Sequence, residues 1–181
     1  MVPNVRKSRA FLGLYVLLAT LITAALLSIL AYVLKEPFVF PSVGPTIFIL
    51  FFVPLGVQAA PRNVLGGQFI AVVCGYLALL LFGLTDVPAD IFDIGAKHIG
   101  SVLVALPLTL ALMVWLGLPH APAGATTLIV ALGLVHTLPH LAILLAAVVL
   151  VVACAFVINR SVGIRVPRWS PINAGVGLAG D

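Results

Sequence analysis

Residues 138–158 read LPHLAILLAAVVLVVACAFVI, an apolar stretch without a single Asp, Glu, Lys or Arg. A helix of roughly 20 apolar residues is long enough to cross the hydrocarbon core of a bilayer. Three stretches upstream also reach that length: residues 10–34, 64–84 and 94–118. The sequence therefore predicts an all-α polytopic membrane protein with four long transmembrane helices.

The overall composition indicates the same class. Hydrophobic residues make up 63% of the 181 residues and charged residues 8%, whereas a soluble domain has about 45–50% apolar residues. The net charge of +4 does not indicate nucleic-acid binding, because the basic residues form no patch and lie mainly near the two chain ends. By the positive-inside rule we expect a multi-pass protein of the cell inner membrane with both termini in the cytoplasm.

Two shorter apolar runs, residues 46–60 and 125–137, are flanked or interrupted by Pro and Gly. Each is either a short spanning helix or a re-entrant hairpin, since irregular backbone is tolerated in a membrane only where protein or a wet cavity covers it. Hydropathy alone does not choose between these alternatives.

The two short runs also resemble each other. Residues 44–50 align with residues 124–130, and the same offset pairs Cys74 with Cys154. This predicts an internal duplication, with repeats 10–84 and 94–159, inside a single transmembrane domain of residues 1–159 that is followed by a cytoplasmic tail, 160–181.

The relation between the two repeats depends on the short helices. If they span, the halves are inverted; if they are re-entrant, the halves are parallel. A tight turn at residues 61–63, with Asn63 as the cap of the next helix, slightly favours the inverted arrangement.

Pro/Gly-rich breaks at residues 37–46 and 119–127 each end where a short helix begins. A helix N-terminus presents unpaired N–H donors and a positive charge of roughly half an elementary unit, so an anion is its natural ligand. The candidate binding residues near these ends are small or carry hydroxyls: Ser42, Gly44, Thr46, Gly124, Thr126 and Thr127. The alternative is that the breaks are kinks whose small residues let helices approach closely.

Four further residues belong to the candidate substrate-binding set. Arg62 either attracts and holds an anion or is a snorkelling residue that fixes topology, and Asn63 lies next to it. His120 either titrates at the mouth of a pathway or is an interfacial residue with one hydrogen bond. Gln68 follows a Gly-Gly pair and is expected to form a hydrogen bond across the bundle.

The apolar runs contain no nucleophile beside a base, no phosphate-binding loop and no carboxylate pair. We therefore predict no catalytic residue, no metal site and no cofactor, and we do not expect an enzyme. Every Asp and Glu lies in a loop or at a chain end, which favours anions or neutral solutes over cations. A pair between Asp93 and Lys97 is expected only to stabilise the start of a helix.

Two motifs resemble the signatures of HPP family membrane proteins: APRNVLGG at residues 60–67 and HAPAGATTL at residues 120–128. Residues 41–51 are similar to the family's Gly-rich segment upstream, so the resemblance covers most of the chain. Ala121 stands where the family has the first proline of His-Pro-Pro, and this turn is expected to be less rigid.

The resemblance implies four transmembrane helices, which agrees with the four long runs and counts against six crossings. Because plastid and cyanobacterial members are associated with nitrite, it also implies nitrite transport. We expect a membrane transporter or channel for a small anion that binds between the short-helix N-termini and is recruited by Arg62. The alternative is a non-transporting scaffold or assembly protein. Besides the anion and the lipid bilayer, a second copy is a candidate partner, since a homo-oligomer would complete a pathway that one small bundle does not enclose.

Overall fold

The computed structural model describes residues 9–87, 89 and 94–172. All regular secondary structure in these residues is helical: six α-helices and a 3-10 turn at Val57–Ala59, with no strand. The helices are α1 (Arg9–Leu34), α2 (Val43–Phe52), α3 (Pro61–Phe82), α4 (Ala96–Trp115), α5 (Pro122–Ala131) and α6 (Leu138–Ser161). The prediction of an all-α polytopic membrane protein is confirmed.

The four long helices α1, α3, α4 and α6 are long and apolar enough to cross a membrane by length and composition. They coincide with the four predicted runs, so the prediction of four long transmembrane helices is confirmed. Three features of the sequence include residues outside the described ranges: the pair between Asp93 and Lys97, the first basic residues of the chain, and the end of the tail.

The two short helices begin and end earlier than the predicted runs 46–60 and 125–137. Pro45 lies in the first turn of α2 and Pro122 opens α5, where the missing N–H of proline costs no hydrogen bond inside the helix. Pro54 prevents α2 from continuing, and Gly133 with a φ of 78° follows the end of α5. Both helices therefore start three residues before the predicted runs, because a proline fits the first turn of a helix.

The first and last helices run antiparallel. The Tyr15 hydroxyl near the start of α1 donates a hydrogen bond of 2.7 Å to Asn159 Oδ1 near the end of α6. At the other extreme, Glu36 lies 3.8 Å from His140 at the start of α6. The end of the bundle where α1 begins and α6 ends also holds the start of α3, with Arg62 in its first turn, and we call it the Arg62 end.

α2 runs back along α1 towards the Arg62 end. Its first residues share a groove with Leu27 of α1, while Phe51 near its end packs edge-on against Tyr15 with ring centroids 6.1 Å apart. Residues 35–42 therefore lead the chain from the opposite end into the interior of the bundle before α2 begins.

α3 is antiparallel to α4 and parallel to α5. Phe82 at the end of α3 packs against Gly100 near the start of α4, whereas Gly67 near the start of α3 lies against Met113. Gly67 also lies against His120, and Gly75, two turns further along α3, lies against Val130 of α5. α5 therefore runs from the interior of the bundle to the opposite end.

The two short helices thus start beside each other and run to opposite ends. Each half of the chain consists of a long helix, a loop with a short helix, and a second long helix, and the two halves point in opposite directions. This is the order of passes expected for the inverted arrangement. The duplication itself, with repeats 10–84 and 94–159, stays a prediction.

Glycines on α3 allow α4 and α5 to approach closely. A Cβ added at Gly75 would lie 2.7 Å from Val130 Cβ, and one added at Gly67 would lie 2.9 Å from His120 Cβ. Small residues of this kind are typical of helix contacts inside membranes. α3 is accordingly the most buried of the long helices.

Asn159 joins three elements at the Arg62 end. Its side-chain amide donates to Ala155 O at 2.8 Å and to Leu50 O at 3.1 Å, and it accepts from Tyr15. The carbonyl of Leu50 cannot receive the usual helical bond, because the residue four positions later is Pro54. Asn159 therefore satisfies a carbonyl that α2 leaves unpaired.

The described part of the C-terminal tail, residues 162–172, packs on the same end. The Trp169 carbonyl accepts a 3.1 Å hydrogen bond from the Arg62 backbone N–H, and Val166 is buried. A backbone N–H in the first turn of α3 is thus satisfied by the tail rather than by a side-chain cap.

Candidate functional site

Four buried polar side chains meet where α2 and α5 begin: Thr46, Gln68, His120 and Thr126, which we call the Gln68 cluster. All four are at most 1% exposed. Gln68 lies on α3 between the two short helices, about 9 Å along the helix from Arg62 at 1.5 Å per residue. Three elements that are far apart in sequence therefore supply one polar site inside an apolar bundle.

Gln68 joins the two short helices through both atoms of its amide. Its Nε2 donates to Thr46 Oγ1 at 3.4 Å, and its Oε1 accepts from the hydroxyl of Thr126. Thr46 and Thr126 are the residues that the sequence alignment of the two short runs pairs with each other. The two threonines that the alignment pairs thus contact the nitrogen and the oxygen of the same Gln68 amide.

His120 closes the other side of the cluster. Its Nε2 lies 3.1 Å from Thr46 Oγ1, and its Nδ1 lies 3.0 Å from the backbone carbonyl of Gln58. A carbonyl only accepts, so Nδ1 carries a hydrogen and donates to Gln58. This fixes the tautomer of the neutral ring and leaves Nε2 as the atom that faces the cluster.

Gln58 also anchors the chain that leads into α5. Its side-chain Oε1 accepts a 2.8 Å hydrogen bond from the backbone N–H of Ala121, next to His120. Gln58 is not among the predicted binding residues, although a lone amide in an apolar run is a signal that points to it. Its two contacts lie more than 60 residues away in sequence, and no local pattern predicts them.

The first-turn N–H groups of the short helices are mostly occupied or absent. In α5, Ala123 donates to His120 O and Gly124 donates to Ala121 O, both at 3.0 Å. In α2, Val43 donates to Phe40 O at 3.0 Å, and Pro45 has no N–H. The N–H groups of Val43, Ala123 and Gly124 are therefore not free in this structure, and the binding role predicted for the residues near the two helix starts stays a prediction.

Ser42 adjoins the cluster through its backbone carbonyl. Its Oγ is buried without a hydrogen-bond partner, while its carbonyl oxygen lies 3.0 Å from Thr46 Oγ1. A buried hydroxyl without a partner costs about 1–3 kcal/mol, which makes it available to a polar ligand.

Three other predicted residues face away from the cluster. Thr127 donates to Thr109 Oγ1 at 3.0 Å, towards α4. A Cβ on Gly124 would meet Leu106, also on α4, and Gly44 borders the groove against α1. The structure therefore places these three near the short-helix starts but not among the side chains that meet at Gln68.

Arg62 and Asn63 lie at the Arg62 end, outside the cluster. The Arg62 guanidinium donates to Leu116 O at 3.4 Å, on the loop that leads to His120. Asn63 is not the cap of α3, because Ala60 holds that position. Instead, Asn63 Nδ2 donates to Val57 O at 2.8 Å, and its buried Oδ1 has no partner.

The electrostatic character of the cluster is neutral. Among the described residues, no charged side chain forms a hydrogen bond with it, and no three His, Cys, Asp or Glu side chains are grouped as metal ligands. The available polar groups are hydroxyl and amide donors and one imidazole.

The sequence matches the HPP transmembrane region over residues 5–167, which includes every helix described above. The chain belongs to the HPP family. Within this HPP protein, the Pro-Arg-Asn motif opens α3 at the Arg62 end and the His-Ala-Pro motif places His120 in the cluster. No curated protein matches the chain, and no solved structure matches it.

Proposed function

We propose that this HPP protein transports a small monovalent anion through the Gln68 cluster, with nitrite as the first candidate. It is an integral membrane protein, and the inner membrane with cytoplasmic termini is the location that we propose. The observation that carries the proposal is the meeting of two oppositely directed short helices at one buried polar site. Broken helices that meet in the interior are the design in which many transporters bind their substrates.

The side chains of the cluster match the needs of an anion. Thr46 and Thr126 carry hydroxyl donors, Gln68 carries an NH₂ group, and Ser42, whose hydroxyl is buried without a partner, contacts Thr46 through its carbonyl oxygen. Hydrogen bonds to a charged partner are roughly twice as strong as neutral ones, so bonds to an anion offset part of the cost of opening the internal bonds and of removing the anion from water. Among the described residues, the carboxylates of Glu36 and Asp86 do not compete, since both are at the opposite end.

The cluster is closed in this structure, because its side chains are bonded to each other and shielded from solvent. An anion enters only when these bonds open. Arg62, about 9 Å along α3 at 1.5 Å per residue, supplies positive charge at the end from which the loop to His120 starts. We propose that Arg62 raises the local anion concentration and does not hold the anion inside.

The test is uptake of nitrite, nitrate, formate and chloride by proteoliposomes. Thr126 and Thr127 are neighbours on α5, both are fully buried, and only Thr126 contacts Gln68. We expect Thr126→Val to reduce uptake of the preferred anion at least about tenfold, the effect of losing one or two hydrogen bonds to a charge. We expect Thr127→Val to retain uptake near the original rate.

Equal loss of uptake in both variants, or uptake of none of the four anions by folded protein, would contradict the proposal. That outcome would favour a scaffold in which the broken helices only pack. A second control is Gln68→Glu, which keeps the shape of the side chain and adds negative charge where the anion should bind. Unchanged uptake in Gln68→Glu would likewise argue against an anion site.

A further inference from the structure

An anion in the closed cluster would have no positive partner. No charged side chain among the described residues contacts the four cluster members, and most first-turn N–H groups of α2 and α5 are occupied or absent. An uncompensated buried charge is costly, because the protein interior replaces the solvation of the ion only in part. Neutral donors alone do not replace the solvation that the anion loses when it leaves water.

His120 is the one side chain of the cluster that can supply the missing charge. The groups that face it are the Gln58 carbonyl from the 3-10 turn, Thr46 from α2 and Gly67 from α3. None of these is titratable or charged. The Arg62 guanidinium donates to the carbonyl of Leu116, four residues before His120.

The hydrogen bonds define where a proton would bind. Nδ1 already carries a hydrogen that it donates to Gln58 O, so an added proton must go to Nε2. In the neutral ring, Nε2 accepts from the Thr46 hydroxyl. In the protonated ring, Nε2 donates, and Thr46 can turn its hydrogen to Ser42 O, which already lies 3.0 Å from Oγ1.

We propose that His120 Nε2 binds a proton that crosses the membrane together with each anion, so that transport is an electroneutral one-to-one symport. This rests on the proposed function of the same cluster. On the loading side, the Nε2 lone pair takes a proton from water and the anion binds beside the imidazolium. On the release side, both leave and neutral His120 returns, so one proton and one negative charge move in each cycle.

The hydrogen bonds can accommodate both neutral and protonated His120 without a rearrangement of the backbone. Thr46 has an acceptor on either side, Nε2 of His120 and O of Ser42, and its hydroxyl needs only to rotate. The Gln58 carbonyl keeps the ring in place in both states. The pathway therefore gains a proton site without adding a permanent buried charge.

The experiment is a current measurement on supported membranes carrying proteoliposomes, combined with nitrite uptake. For an electroneutral symport, a nitrite gradient gives uptake without current. A tenfold potassium gradient with valinomycin, which would redistribute an uncoupled monovalent anion about tenfold, leaves uptake unchanged within about twofold. An alkaline vesicle interior increases the rate of nitrite uptake. Because nitrous acid crosses lipid unaided, the rate measured with protein-free vesicles is subtracted first.

Two variants locate the proton site. His120→Gln keeps a polar side chain but cannot bind a proton, and we expect it to lose at least about 90% of the proton-driven uptake or to make the remaining uptake carry current. His136→Gln is the matched control, because His136 lies at the opposite end and contacts Gly133 O at 2.9 Å. We expect it to behave as the original protein.

The outcomes separate the two proposals. Uptake that carries current and follows the potassium gradient would overturn the symport while leaving the anion pathway intact. Retained proton-driven, electroneutral uptake in His120→Gln would overturn the assignment to His120. The absence of uptake of every anion by the folded original protein would overturn the proposed function and the symport together. The current of the original protein is decisive even if His120→Gln does not fold.

Discussion

Replacing Gly67 by alanine tests whether the position of His120 depends on its close contact with α3. An added Cβ would lie 2.9 Å from His120 Cβ, 3.2 Å from Met113 Sδ and 3.4 Å from Leu118 O. His120 cannot withdraw freely, because its ring is bonded to the Gln58 carbonyl on one side and to Thr46 on the other. The substitution must therefore separate α3 from the loop to α5 or break one of these bonds.

The expected cost follows from two opposing effects. Overpacking of this kind costs about 1–3 kcal/mol, and the better helix propensity of alanine returns up to about 1 kcal/mol. Gly13 provides the matched control, since a Cβ there would meet no atom within 4 Å. Gly13→Ala carries the propensity gain alone, so the difference between the two variants isolates the overpacking.

The assay is thermal unfolding of both variants in the same detergent, followed by nitrite uptake. A difference of about 1–3 kcal/mol corresponds to about 2–12 °C in Tm for a chain of this size, with Gly67→Ala the lower. We also expect Gly67→Ala to reduce uptake, because it displaces His120. Equal Tm values and equal uptake for the two variants would refute the reasoning that His120 is held by close packing.

Other contacts give further expectations. Asn159→Leu should lower the free energy of unfolding by about 1–3 kcal/mol, because it leaves Leu50 O and the Tyr15 hydroxyl unpaired; an unchanged unfolding midpoint would contradict this. Gln58→Leu should speed hydrogen exchange of the Ala121 amide, which loses its acceptor; equal exchange would show that the bond is unimportant. Arg62→Gln should slow anion uptake most at low salt, where charges are least screened, and Arg160→Gln serves as control at the same end.

The long helices could be predicted because their signal is local. A run of roughly 20 apolar residues has few alternatives to a membrane-spanning helix. The short helices were placed too late, because Pro45 and Pro122 are compatible with a first helical turn. Their opposite directions follow from contacts such as Phe51 with Tyr15 and Gly75 with Val130, which no local pattern contains.

The candidate site was predictable in part. Thr46, His120 and Thr126 were selected because they flank the Pro/Gly breaks, and Gln68 because a buried amide needs a partner. Thr126 and Thr127 could not be distinguished from sequence, since neighbouring residues point about 100° apart around a helix and the facing helix was unknown. The cap expected at Asn63 was wrong, because α3 starts two residues earlier, at Pro61.

The bond between the side chain of Asn159 and the Leu50 carbonyl has a consequence for biosynthesis. The two residues are 109 positions apart, and a ribosome adding about 5–20 residues per second needs on the order of 5–20 s to make the second after the first. During that interval, α2 carries a carbonyl that Pro54 cannot satisfy. A nascent chain that stalls before α6 is complete therefore keeps an unpaired carbonyl in α2.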